Sequence, residues 1–359
     1  MSSPIPTTRS AIIQGPAGKP SLAHNLPIPP LTPGTVLIKV TAVALNPSDY
    51  KMPTFFPTPG SIIGYDFSGT ILSIHPDTPT PFLPGDLVSG GVRGSSPLSP
   101  TTGAFTTYLV TTPTLLLRLP RNLPPPSAAT LPTALATSTL SLFDPTLLSL
   151  PYSPISPSPS PTPVLVYGGS TATGTIAIQL LKLSGFSPIA TCSPSNFPLV
   201  REAGADAVFD YTLPDVATKI KSYTNNRLKH ALDCISDSQS VAICYDSLSR
   251  TGGRYVSLEY VPDELLSRRK AVKAGFMLAF QIAGEASGLP GGYDKPADPG
   301  KLELGVRFWG VYQKLLDEGK LKPHPVQRLE GGLEGVIKGL ELLRSGGVSG
   351  KKLVAVLDE

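Results

Sequence analysis

"VLVYGGSTATGTIAIQ", residues 164–179, runs from an apolar β-type stretch through a hydroxyl-rich glycine turn into a helical pattern. In a dinucleotide-binding fingerprint the outer glycines permit the tight turn and close helix packing, and the middle one lets the backbone approach a pyrophosphate. Gly169 and Gly174 keep the outer spacing, whereas Thr171 takes the middle place. The hydroxyls of Ser170, Thr171 and Thr173, with Ala172 between them, are expected to donate to phosphates instead. They stand at a helix start, which offers free N–H groups and the positive end of a dipole. An isolated strand-to-helix turn could carry the same glycines, so the segments on either side decide its meaning.

Downstream, "PIATC", "AVFDY", "HALDCI" and "RYVSL" read as strands, alternating with helical "TGTIAIQLLKLSG", "FPLVREAG" and "VAICYDSLSRTGG". That alternation predicts a parallel, doubly wound α/β sheet of Rossmann type. Upstream, "GTVLIKVTAVAL", "GYDFSGTILSI", "GDLVSGG" and "GAFTTYLV" are short β-type runs between Pro/Gly turns, the pattern of a small barrel-like domain. "AATLPTALATSTLSLF" reads as one helix between the two, and "SPISPSPSPTP" as an extended surface linker. Toward the C-terminus come two helical stretches, "ELGVRFWGVYQKLLDEGKL" and "LEGVIKGLELLRSG", and then a terminal strand, "KKLVAVL".

About 20 residues past such a turn, an NAD enzyme holds the ribose hydroxyls with Asp or Glu. This chain has "TCSPSN" there. A 2′-phosphate would meet no like charge, and Ser193, Ser195 and Asn196, bent around Pro194, supply donors. The same residues are ordinary turn formers, and such a turn presents the donors. NADPH is therefore expected over NADH.

Bulk properties narrow the function class. A chain of 359 residues with 40% hydrophobic content has material for two cores. Its net charge of +4 comes without any Lys/Arg run, which argues against nucleic acid or a membrane surface as partner. No secretory leader pattern opens the sequence and no apolar run reaches a membrane-spanning length, so a cytoplasmic location is expected. Cys192, Cys234 and Cys244 are odd in number and lack Cys-x-x-Cys spacing, which supports neither a disulfide framework nor a structural zinc site. They read as small buried apolar residues. His24, His75, His230 and His324 are scattered, and packing roles are expected of each.

"ALNPSDYKM", "GYDFSGTI", "PGDLVSG" and "GAFTTYLV" resemble the catalytic domain of the medium-chain dehydrogenase/reductase superfamily. Within that superfamily, "GGSTATG", "TCSPSN", "GADAVFDY" and "ALDCI" resemble the trans-acting enoyl reductases that serve fungal highly reducing polyketide synthases. The resemblance implies a GroES-like catalytic domain over residues 1–127 and 320–359, with a Rossmann NADPH-binding domain over 128–319. Gly64-Tyr65-Asp66 stands where the zinc-dependent alcohol dehydrogenases carry Gly-His-Glu, so no catalytic metal is expected.

The implied reaction is hydride transfer from NADPH to the β-carbon of an α,β-unsaturated polyketide thioester, followed by protonation of the α-carbon. The thioester would sit on the acyl carrier protein of a polyketide synthase or of a synthase–peptide synthetase hybrid. By family position, Ser48, Asp49, Tyr50 and Lys51 should lie near the nicotinamide ribose, and Tyr211 with residues 193–196 near the 2′-phosphate. Leu258 and Glu259 should flank the nicotinamide, with Ser349 and Gly350 reaching in from the returning segment. Lys51 is the candidate for polarising the thioester carbonyl or holding a proton-relaying hydroxyl, with plain cofactor anchoring as the alternative. An uncharged residue is expected at position 259, so Glu259 must be solvated, paired or turned away.

The substrate channel is expected along Thr137, Ser138, Thr139, Leu140, Ser141, Leu142, Phe143 and Asp144, and along Phe280, Gln281, Ile282, Ala283 and Gly284. A free-standing NADPH-dependent quinone or alkenal reductase is the rival enzyme reading, and a non-catalytic partner docked on a megasynthase the rival from another class. "AGFMLAFQIAG" reads as the edge strand of the nucleotide-binding sheet. It runs into "EASGLPGGYDKPADPGK", whose Pro290, Pro296 and Pro299 suit dimer-forming edge pairing poorly, so a monomer is expected.

Overall fold

Proline and glycine punctuation divides residues 6–357, those described by the computed structural model, into fifteen strands and ten α-helices. The N-terminal third holds β1 (Thr8–Gln14), β2 (Pro20–Pro27), β3 (Val36–Ala44), β4 (Asp66–Ile74), β5 (Leu87–Gly91), β6 (Tyr108–Thr111) and β7 (Leu116–Arg118). One helix, α1 (Pro47–Phe55), interrupts them, and α2 (Pro125–Ala128) and α3 (Pro132–Phe143) follow. The second sheet is built from β8 (Pro163–Tyr167), β9 (Ser187–Cys192), β10 (Ala207–Asp210), β11 (His230–Asp233), β12 (Gly253–Ser257) and β13 (Val272–Phe276). Between these strands run α4 (Ala172–Leu183), α5 (Phe197–Glu202), α6 (Val216–Tyr223), α7 (Ser238–Ser247) and α8 (Asp263–Leu266). The chain closes with α9 (Pro299–Asp317), β14 (Val326–Leu329), α10 (Gly332–Arg344) and β15 (Lys352–Val356).

All pairings in the second sheet are parallel, in the order β10-β9-β8-β11-β12-β13. The order reverses between β8 and β11, and the crevice at the carboxyl ends of those strands is where such folds bind ligands. Helices cover both faces, so a strand such as β8 reads as a continuous apolar run and Val164, Leu165 and Val166 are fully buried.

The first sheet is largely antiparallel, and distant sequence completes it. β15 lies antiparallel to β3, Val354 opposite Ala44, and β14 pairs parallel to β15. Ile38, Val40, Phe67, Ile71, Val88 and Phe105 fill this core together with Val336, Leu340 and Leu353 of the returning segment.

Two expected elements are redrawn. The single helix over "AATLPTALATSTLSLF" is broken: α2 ends at Ala128 and α3 starts afresh with Pro132, whose missing N–H suits a first turn and not an interior. The expected edge strand "AGFMLAFQIAG" pairs only to Phe276. Ala279–Ala283 then wind into a 3-10 turn, closed by Gly284 at φ +75°. Hairpin β1–β2 and helix α6 carry no signal strong enough to be read beforehand.

Candidate functional site

The glycine turn after β8 is a close contact between backbones. A Cβ on Gly169 would stand 2.7 Å from the Ala190 Cβ, and one on Gly174 would stand 2.4 Å from the Gly168 carbonyl oxygen. Thr171, expected on the phosphates, is used otherwise: it is the N-cap of α4. Its Oγ1 accepts from the Gly174 N–H at 2.9 Å and donates to the Gly168 carbonyl at 2.8 Å. Ser170 and Thr173 remain half-buried at the turn, with no side-chain hydrogen bond among the described residues, beside the start of α4 at Ala172. Two free hydroxyls and the N–H groups of a first helical turn make a cradle suited to an anion.

Beyond β9, Ser193 is half-buried, and Pro194, Ser195 and Asn196 form a 3-10 turn. The Asn196 Nδ2 donates to Ser349 Oγ at 2.8 Å, and a Cβ on Gly350, whose φ is +63°, would lie 2.5 Å from Asn196 Oδ1. Folding thus joins two of the expected cofactor segments that lie 153 positions apart. Tyr211 stands nearby, its ring centroid 6.0 Å from that of Tyr167. Sequence reading missed one carboxylate: Asp210 lies in register with Cys192, and its Oδ1 accepts from the N–H and hydroxyl of Thr212 at 2.9 and 2.7 Å. The parallel register of β9 and β10 is the signal that could have located it.

In α1, Ser48, Tyr50 and Lys51 are partly accessible and Asp49 is not. Asp49 does not face the cleft: its Oδ2 accepts from the Asn46 N–H at 2.6 Å, and full burial raises its carboxyl well above the usual range. Next to it runs a buried polar network. The Lys352 ammonium donates to Asp66 Oδ2 at 2.6 Å and Asn46 Oδ1 at 2.8 Å, and Asp66 Oδ1 accepts from the N–H and hydroxyl of Thr133 at 2.8 and 2.7 Å. These bonds engage both oxygens of Asp66, the carboxylate of the Gly64-Tyr65-Asp66 motif. Burial pushes the neighbouring Tyr65 phenol up, so it is neutral. No group of three His, Cys, Asp or Glu side chains that could hold a metal ion occurs among the described residues. The donor set at this position does not fit a zinc site.

Lys51 reaches across the cleft to Glu259, with Nζ 2.6 Å from Oε1 and side chains 29% and 30% exposed. Of the three fates open to a carboxylate here, Glu259 is paired. The Tyr293 hydroxyl donates to its other oxygen at 3.5 Å. Leu258 packs on the large core, and its N–H donates to Ser236 Oγ at 2.9 Å.

A cavity of about 290 Å³ is bounded by Tyr65, Val92, Arg93, Ala136, Phe280, Ile282, Ala283 and Trp309 among others. Of the expected residues 280–284, Phe280, Ile282 and Ala283 line it, and Ala279 joins them. Gln281, instead, is buried with its Oε1 accepting from Lys301 at 3.2 Å, and Gly284 ends the turn. The expected stretch from Thr137 to Asp144 does not line it. Ser138, Leu140, Ser141 and Leu142 are core residues; Thr139 Oγ1 lies 2.6 Å from the Tyr312 hydroxyl, Phe143 stacks on Phe308, and Asp144 accepts from Thr146. Helix α3 turns only Pro132, Thr133 and Ala136 toward the cavity, one turn earlier than expected. Tyr65, Arg93 and Trp309 were missed, because only the tertiary fold brings these single residues to one wall.

Two family models match this chain: the alcohol dehydrogenase GroES-like domain over residues 32–121 and the zinc-binding dehydrogenase family over residues 172–277. Among curated proteins, the trans-enoyl reductase TwmE of Talaromyces wortmannii is 51% identical over 365 residues, covering 98% of this chain and 99% of its own. The trans-enoyl reductase poxP of Penicillium oxalicum is 45% identical over 359 residues, 99% of this chain and 94% of its own. A solved structure of a putative zinc-dependent alcohol dehydrogenase from Rhizobium etli superposes with a TM-score of 0.78 at 25% identity, covering 97% of each chain. The CurK enoyl reductase superposes with a TM-score of 0.69 at 18% identity, covering 97% of this chain and 98% of its own.

Proposed function

This chain belongs to the medium-chain dehydrogenase/reductases and, within them, to the trans-enoyl reductases, and on that premise we propose that it reduces the α,β-double bond of a polyketide enoyl thioester. NADPH is the hydride donor, and the acyl carrier protein of a separate synthase presents the substrate. One observation carries the reading: Lys51, from helix α1 of the barrel-like domain, is paired at 2.6 Å with Glu259, which follows the carboxyl end of β12 in the nucleotide-binding sheet.

The bound nicotinamide supplies the hydride, and the protein supplies position and charge. Ser170, Thr173 and the first turn of α4 hold the diphosphate. Ser193, Ser195 and Asn196, with Ser349 against Asn196, receive the 2′-phosphate at a turn that itself carries no carboxylate. Asp210 is turned to Thr212. Lys51, held at the cleft by Glu259, presents a cation where the thioester oxygen gathers negative charge. The chemistry is metal-independent in this reading, which the engagement of Asp66 by Lys352, Asn46 and Thr133 supports. No helix of the described residues is long and apolar enough to cross a membrane.

The test is NADPH oxidation, followed optically, with enoyl-pantetheine thioesters and with a quinone as control. Consumption with the thioester and none with the quinone is expected. Turnover of the quinone alone would replace this reading with that of a free-standing reductase.

A further inference from the structure

Residues 284–298, dense in glycine and proline, leave the edge of the parallel sheet and cross to the barrel-like domain. There Leu289 packs with Met52 and Tyr65, and the Tyr293 ring meets Phe56 edge-on with centroids 4.9 Å apart. The neck of this strap is closed on itself. The Ser287 N–H donates to the Lys295 carbonyl at 2.8 Å, and the Lys295 N–H donates to Ser287 Oγ at 2.8 Å.

Arg93, between β5 and β6, fastens the neck to the barrel. Its Nη1 donates to the Ala286 carbonyl at 2.9 Å, its Nη2 donates to the Ser287 carbonyl, and its guanidinium carbon lies 4.0 Å from the centroid of Phe280. Arg93 is 9% exposed. Both Arg93 and Phe280 line the cavity, as does Glu285 at the start of the strap. Holding a buried cation against neutral carbonyls costs more than an apolar contact of the same size. What the planar fork supplies is a fixed position for two adjacent carbonyls at once, which a lysine does not reproduce.

We propose that Arg93 is a positioning residue for acyl-chain selection. By clasping Ala286 and Ser287 to the barrel it fixes the cavity wall that carries Phe280, Ile282, Ala283 and Glu285, and so limits the length and branching of the chain accepted. The inference rests on the enoyl reductase reading given above. A rigid wall discriminates against one surplus methylene by about tenfold or more, and a wall free to move gives that discrimination up.

The test uses the full chain as wild type, Arg93→Met, Arg93→Lys and Leu289→Ala. Two readouts are taken: hydrogen exchange of peptides covering residues 286–295, and kcat/KM for straight-chain enoyl-pantetheine thioesters of rising length. In Arg93→Met, strap exchange should accelerate by about tenfold or more. The preference for the best chain over an over-long one should fall by about tenfold, chiefly through KM of the longer chain. Arg93→Lys should fall between. Leu289→Ala loosens the same strap with Arg93 intact and should flatten the length profile too, which keeps the test valid where Arg93→Met does not fold. Unchanged strap exchange in a folded Arg93→Met, or an intact length preference on a loosened strap, overturns the selection role alone. A wild-type chain inert toward every thioester, whatever the exchange, overturns the reductase reading and the selection role with it.

Discussion

Lys51 and Glu259 are separated by 208 positions and meet at 2.6 Å, each about one-third exposed. A pair this accessible stabilises the fold by about 1 kcal/mol or less, so the role proposed for Lys51 can be tested by substitution without a large loss of stability. Lys51→Met should therefore cut turnover by about a hundredfold while NADPH affinity, read by fluorescence quenching, changes by less than about threefold. Unchanged turnover would remove Lys51 from the chemistry. Ser193→Asp places a carboxylate beside the 2′-phosphate, and NADPH binding should weaken by about tenfold with NADH binding spared. His324 carries a pH prediction. Burial, with Lys352 nearby, holds its imidazole down at about 4, below its ordinary 6.5. The folded state thus favours neutral His324, whose contribution is complete above pH 6.5 and is lost as pH falls toward 4. That contribution reaches about 3 kcal/mol. The urea midpoint should drop across this window, and His324→Gln should make the drop shallower; identical slopes in the two proteins would deny the residue this role.

At the scale of elements, the start of α4 sets a capping hydroxyl and an unbonded one within three residues. Thr171 spends its hydroxyl on the cap, so Thr171→Ala should lower stability by about 1 kcal/mol. Thr173 has no such partner among the described residues. Thr173→Ala should leave the thermal midpoint in place and weaken NADPH binding several-fold, as calorimetry would show. If both substitutions act on stability alone, the turn is not the phosphate site. Helix α3 shows why its cavity-facing turn was misread. Small and apolar residues surround it, and from Ala134 to Phe143 every residue is buried. Its hydroxyls, at Thr133, Thr137, Ser138, Thr139 and Ser141, spread over most of its length and do not mark which turn borders the cavity; the neighbouring helix α9 and the 3-10 turn at Ala279–Ala283 decide it.

For the molecule as a whole, the edge of the parallel sheet bears on assembly. Only Val272–Phe276 pairs there, Lys273 is exposed on it, and the chain beyond crosses to the other domain instead of prolonging the edge. A short, charged edge is poor material for pairing with a second copy. Light scattering coupled to size exclusion should give a mass near 37.7 kDa, and a stable doubled mass at low micromolar concentration would show the edge to be usable. Activity should also survive dialysis against a strong chelator, since the Asp66 oxygens already serve Lys352, Asn46 and Thr133. Loss of activity that zinc restores would contradict the metal-independent reading.

The sequence by itself determined the parallel sheet, the barrel-like sheet and the glycine turn. Each follows from neighbouring residues: apolar periodicity, proline and glycine punctuation, and the spacing of Gly169 and Gly174. The tertiary structure alone decided which groups at the candidate site are free. Thr171 is consumed by its cap, Asp49 faces inward, Glu259 is paired with Lys51, and Arg93 holds a strap that had read only as a Gly/Pro-rich stretch beyond the sheet edge. An apolar run such as residues 274–284 buries as well in a 3-10 turn as in a strand, so its hydrophobicity does not choose between them. The choice comes from contacts between segments up to about three hundred positions apart, which have no trace in local pattern; Lys352 against Asp66, 286 positions away, is one of them.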